Sequence, residues 1–165
     1  CYTAVLKAHI ALATAEFDAE TTGAELDAIA RKPLHAEGLD FKHGTGHGVG
    51  HMLSVHEGPN TISPRGKNSH ILPGMITSNE PGVYIENKFG IRLENEILCT
   101  ERKDGRYEFE TITFCPFERE AILPELLTET EKAWLNAYHA RVYDTLKPLL
   151  STEEQVWLKA AASEI

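Results

Sequence analysis

Apolar positions along this 165-residue chain change their period twice, helical first, strand-like in the middle and helical again at the end. Residues 1–17 (CYTAVLKAHIALATAEF) carry Val5, Leu6, Ile10, Leu12 and Phe17 among many alanines, a composition that favours helix. Thr22-Gly-Ala-Glu25 has the spacing of a capping box, in which a threonine and a glutamate close the first helical turn reciprocally. A second helix is therefore expected through Leu26 and Ile29, with Gly38 as its stop. Pro33 lacks an amide proton and is expected to kink or divide that helix.

From Pro73 the pattern shortens to strand length. Met75–Ser78, Val83–Ile85, Ile91–Cys99 and Tyr107–Phe114 are the expected strands, separated by the turn signals Pro81-Gly82, Phe89-Gly90 and Lys103-Asp104-Gly105. Thr128-Glu-Thr-Glu131 is another capping box. It opens a long helix with Trp134, Leu135, Tyr138, Val142 and Leu146 on one stripe, stopping near Pro148. Ser151 caps a last helix containing Val156, Trp157 and Leu158. Helices, an antiparallel strand cluster, then helices define an α+β class.

Composition narrows the function. With a net charge of −9, a nucleic-acid footprint is not expected, because phosphate binding needs a basic patch. An acidic balance suits a cation site, and a solvated acidic surface explains it equally well. Cys1, Cys99 and Cys115 are odd in number and lack C-x-x-C spacing, so they read as free thiols of a reducing, cytoplasmic setting. No apolar run reaches the length of a membrane span, and no membrane partner is expected. The first residue is Cys1 and not Met, so the chain is expected to begin inside a longer protein.

Candidate chemistry concentrates in HGTGHGVGHMLSVHEGP (His43–Pro59), which holds His43, His47, His51 and His56 of the chain's 8 histidines. Glycines at 44, 46, 48 and 50 let backbone approach a ligand closely. A flexible surface loop with scattered histidines is the competing reading. The run is expected to enter a short strand around Met52–His56. Along Ile91–Ile97, alternation puts Arg92, Glu94 and Glu96 on one face, where Arg92 can orient a carboxylate. An edge strand with its polar face in water would show the same pattern. Glu80, inside Ser-Asn-Glu-Pro-Gly, is either a turn residue or a ligand. Together His47, Glu80 and Glu94 offer one nitrogen and two carboxylates, a set suited to Mn²⁺, Fe²⁺, Co²⁺ or Zn²⁺. His43 and His56 remain for proton transfer or for polarising a carbonyl.

HGTGHGVG with VHEGP, then NEPGVY, then GIRLEN, in that order, resembles the aminopeptidase P (Xaa-Pro aminopeptidase) branch of the pita-bread metallopeptidases. The resemblance covers essentially the whole chain, including the closing WLNAYHARVYDTL helix. It implies a partial pita-bread fold with a central antiparallel sheet flanked by helices. Residues 1–165 would form the C-terminal part of one catalytic domain, with 125–165 as its C-terminal helical segment. It implies His47 and Glu80 as ligands of one ion and Glu94 as the bridge to a second. His43 and His56 then match substrate-binding and proton-transferring histidines, Arg92 matches an arginine supporting the carboxylates, and His51 has no assigned role. The implied cofactor is two divalent ions, manganese ahead of zinc or cobalt. The implied reaction is release of the residue before a penultimate proline by attack of a metal-bridging water, in a homodimeric parent.

Two aspartates that complete such a centre, in a segment resembling D-G-T-T-D, are missing from the chain; Asp18, Asp27 and Asp40 do not fit their place. The chain is therefore expected to start just after that segment, to bind at most one ion weakly, and to be inactive alone. A prolidase-type dipeptidase and a non-catalytic binding module of the same fold are the alternatives.

Overall fold

A computed structural model describes residues 1–52 and 54–165. They divide into two compact units, one of Cys1 with residues 3–113 and one of Tyr2 with residues 114–165.

The first unit opens with α1 (Tyr2–Ala13), whose Val5, Leu6, Ala8, Ile10 and Leu12 are all buried. A helix this apolar around its circumference belongs inside a core. The capping box at the next helix is formed: Thr22 accepts from the Glu25 amide while Glu25 Oε2 accepts from the Thr22 amide at 2.8 Å. This helix, α2 (Gly23–Ala36), runs on through Pro33 as one element, so of the two expected outcomes the division does not occur. Proline removes one amide proton, and the bonds from Glu37, Gly38 and Leu39 back to Leu34 and His35 hold the last turn together. Gly38, at φ 68°, then ends it as expected.

Among the described residues, seven short strands follow. β1 (Gly46–His47) pairs antiparallel with β2 (Thr61–Ile62), and β4 (Gly82–Ile85) pairs with β5 (Phe89–Arg92). β3 (Ile76–Asn79), β6 (Asn95–Glu101) and β7 (Tyr107–Thr111) form an antiparallel sheet in the order β3-β6-β7. Three expectations change. The β4–β5 turn falls at Glu86–Lys88 with Asn87 at φ 58°, so Phe89-Gly90 is strand and not turn. Ile91–Cys99 is not one strand, because the buried Leu93 donates to Pro81 O at 3.3 Å and the chain passes from β5 to β6 there. The strand expected at Met52–His56 is absent from its described positions, which lie in turn, bend or irregular chain; Leu53 lies outside the described residues. Leu12, Leu26, Ile62, Ile97 and Phe109 meet in one buried cluster that ties both helices to the strands.

The second unit contains α3 (Glu129–Leu146) and α4 (Thr152–Ala161), each opened by a formed capping box, at Thr128 and Ser151. Leu135, Tyr138, His139 and Val142 are buried, and Trp134 stacks on Tyr138 with ring centroids 5.5 Å apart. On α4 only Leu158 is buried; Val156 and Trp157 are exposed. Among the described residues, no helix is long and apolar enough to cross a membrane.

Candidate metal centre

β1 is only two residues long, yet it fixes His47 from three directions. Its backbone pairs with β2, and its amide donates to Ser78 Oγ on β3 at 3.0 Å. Its ring Nδ1 lies 2.9 Å from Gly48 O. A carbonyl can only accept, so Nδ1 carries the proton and Nε2 points away with its lone pair free. That lone pair faces Glu80 Oε1 at 3.1 Å. Two lone pairs in that position need a proton or a cation between them, and a bound metal ion is one way to supply it.

Glu80 is held with equal care. Its amide donates to Thr45 O at 2.8 Å, Ser78 Oγ donates to its Oε1 at 3.0 Å, and Arg92 Nε lies 3.6 Å from its Oε2. Only 8% of the residue is exposed. Arg92 therefore supports Glu80 and not Glu94, the partner expected from strand alternation, because the break at Leu93 turns the two residues out of one strand.

The other expected residues divide into those that join this pair and those that do not. The His56 ring lies 4.3 Å from the His47 ring. His43 Nδ1 is 2.7 Å from Gly44 O, and its Nε2 is 2.9 Å from Tyr84 Oη, which also accepts from Arg92 Nε at 2.9 Å. Tyr84 thus links His43 to Arg92, a role the sequence reading missed. Glu94 is exposed and His51 is exposed in a turn. Glu96, which strand alternation puts on the face of Glu94, is half-buried. Burial, then Glu94 and Glu80, raise its carboxyl above the ordinary range against the opposing pull of His47. Its Oε2 is shielded from solvent and has no hydrogen-bond partner.

His43, His47, His56, Glu80 and Arg92 line one open cavity of about 710 Å³, within the size range of small-ligand sites. Among the described residues, no three His, Cys, Asp or Glu side chains converge on a single point. His47 and Glu80 fit a divalent ion as two donors with their outer hydrogen bonds already made.

The family model for metallopeptidase family M24 matches residues 1–101, and the C-terminal region of peptidase M24 matches residues 105–165. The chain belongs to metallopeptidase family M24. Within it, the chain is 45% identical to "Probable Xaa-Pro aminopeptidase P" of Laccaria bicolor, over 99% of the chain and 27% of that relative. It is 46% identical to "Aminopeptidase P1" of Lotus japonicus, over 100% of the chain and 26% of that relative. Its structure matches X-prolyl aminopeptidase from Caenorhabditis elegans, described as a cytosolic enzyme with a di-nuclear active site. The TM-score is 0.92 at 40% identity, over 99% of this chain and 28% of that one. Prolidase from Pyrococcus furiosus matches with a TM-score of 0.57 at 35% identity, over 69% of this chain and 32% of that one. The aminopeptidase P branch and its pita-bread fold are thus as the motifs implied. The chain spans about a quarter of the length of the curated relatives it matches.

Proposed function

We propose that this chain forms part of a metal-dependent exopeptidase that releases the N-terminal residue from peptides with proline in second position. The observation that carries the reading is the His47 Nε2–Glu80 Oε1 approach of 3.1 Å on the wall of the cavity. Its support is the likeness to aminopeptidases P over nearly the whole chain.

His47 and Glu80 would hold one divalent ion, and Glu94 would turn in to share it with a second. Such ions, with manganese favoured, polarise a scissile carbonyl and make water a nucleophile near neutral pH. The protein's own part is positional. Ser78 Oγ and Arg92 Nε keep the Glu80 carboxylate from rotating. His43, locked by Gly44 O, presents Nε2 toward Tyr84 and seats the substrate. His56, its ring tilted against that of His47, carries a proton to or from the reacting group. A substrate proline brings no amide proton, so the site needs no acceptor for it.

By itself the chain would hold at most one ion, weakly, and would not turn over peptide. The whole protein would work as a cytoplasmic homodimer. The test uses a polypeptide extended to the length of the relatives and loaded with Mn²⁺, on Arg-Pro-Pro, Arg-Ala-Ala and the dipeptide Gly-Pro. Cleavage of Arg-Pro-Pro alone is expected. Cleavage of Gly-Pro alone would establish the prolidase reading instead, and no cleavage with no bound metal would establish a binding module.

A further inference from the structure

Arg31 is 6% exposed, yet all three of its guanidinium nitrogens are engaged. Nε donates to Asp27 Oδ2 at 2.7 Å, one turn earlier on α2. Nη1 donates to Asp40 Oδ1 at 2.7 Å and to Phe41 O at 2.6 Å. Nη2 donates to His43 O at 2.7 Å. The same guanidinium lies 3.9 Å over the Phe41 ring, whose centroid is 4.7 Å from that of His43. Asp27 continues the network, since its Oδ1 accepts from Thr45 Oγ1 at 2.6 Å, and Thr45 O accepts from the Glu80 amide at 2.8 Å. One buried ion pair on α2 therefore grips the backbone or side chains of residues 41, 43 and 45, the segment that enters β1.

We infer that Arg31 is a positioning residue that sets the place of His43 by holding its carbonyl and the ring beneath it. The inference rests on the aminopeptidase reading for its kinetic consequence, though not for its geometry. Two carbonyls and two carboxylates around one side chain call for a planar fork with donors in fixed directions. A lysine ammonium would present three donors from a single atom and could not reach the same set. A buried ion pair is weak evidence for stability, because desolvation offsets much of the attraction. Its specific geometry is what a buried arginine contributes: with the His43 carbonyl fixed, the imidazole keeps one orientation between Phe41 and Tyr84, whose ring is 5.4 Å away.

The test compares Arg31→Lys with Asp40→Asn, whose side chain is 57% exposed and whose replacement spares the core. On this chain, long-range ¹H–¹⁵N spectra of the histidine rings read the His43 tautomer directly. A single Nδ1-protonated form is expected in the wild type, and a mixture in Arg31→Lys. On the Mn²⁺-loaded extended polypeptide, KM for Arg-Pro-Pro should rise on the order of tenfold in Arg31→Lys, with kcat and metal affinity nearly unchanged. Asp40→Asn should move KM the same way by less. An unchanged His43 tautomer in a folded Arg31→Lys protein would overturn the inference, as would variants that lose stability but keep KM. A wild-type polypeptide that cleaves no proline peptide would defeat the aminopeptidase reading alone, leaving the tautomer measurement to decide the inference.

Discussion

Tyr84 Oη lies 2.9 Å from His43 Nε2, across a pair of residues that no local pattern connects. The same oxygen accepts from Arg92 Nε, so one hydroxyl serves both His43 and the arginine beside Glu80. Tyr84→Phe keeps the ring against His43 while leaving two polar atoms without that partner. Because Tyr84 is 46% exposed, water would take the place of the hydroxyl and folding stability should change little. A fall in kcat/KM of about tenfold is expected, corresponding to ~1.4 kcal/mol for one hydrogen-bonded link. Steady-state kinetics beside a urea titration measures both, and unchanged kinetics would remove Tyr84 from the site.

His47 and Glu80 should account for what ion binding this chain has. Calorimetric titration with Mn²⁺ should show binding in the wild type and none in His47→Ala. Ser78→Ala removes the hydroxyl that donates to Glu80 Oε1 and accepts from the His47 amide. A loss of roughly 10–100-fold in affinity is expected for such an outer partner. Equal affinity in wild type and His47→Ala would place the ion elsewhere.

Gly46 precedes His47 where β1 crosses β3, and a Cβ there would collide with the Ser78 carbonyl. The obstacle is backbone and cannot rotate away. Gly46→Ala should therefore cost about 3 kcal/mol, at the upper end for overpacking. A lower urea midpoint with the same slope is the expected result, together with loss of Mn²⁺ binding. A variant as stable as the wild type would mean that β1 and β3 can part without consequence.

How far the sequence revealed this arrangement depended on the range of each interaction. The boxes at Thr22 and Thr128 and the Gly38 stop involve atoms within one turn, and they formed as expected. His47 and Glu80, singled out by residue type and motif context, do come together, with Nε2 and Oε1 3.1 Å apart. Arg92 lies beside Glu80 and not beside its strand-face neighbour Glu94, because alternation continues in the letters through Leu93 while the chain itself breaks where Leu93 bonds Pro81. Arg31 offered a partial signal, an i, i+4 pair with Asp27 on a helix face, but its carbonyl partners depend on how residues 41–43 return to that helix. Tyr84 gave no signal, since hairpin pairing decides where its ring points.

His9 couples the fold to pH. Its ring is completely buried on α1, and its surroundings are Asn79, Asn95 and the Leu93 backbone. Burial lowers its pKa to about 4, from an ordinary value of 6.5. Above pH 6.5 the imidazole is neutral whether the chain is folded or not, and it imposes no pH dependence. Between pH 6.5 and about 4 the unfolded chain takes up a proton that the folded chain refuses, so stability falls as pH falls. Across the whole window the loss amounts to about 3 kcal/mol. His139, also pushed down by burial, adds a contribution of the same sign in residues 114–165. Urea midpoints from pH 7.5 to 4.5 should therefore decline in the wild type. His9→Gln should start less stable and decline more gently, since the amide cannot titrate. Parallel declines in the two proteins would show that the proton is taken up elsewhere.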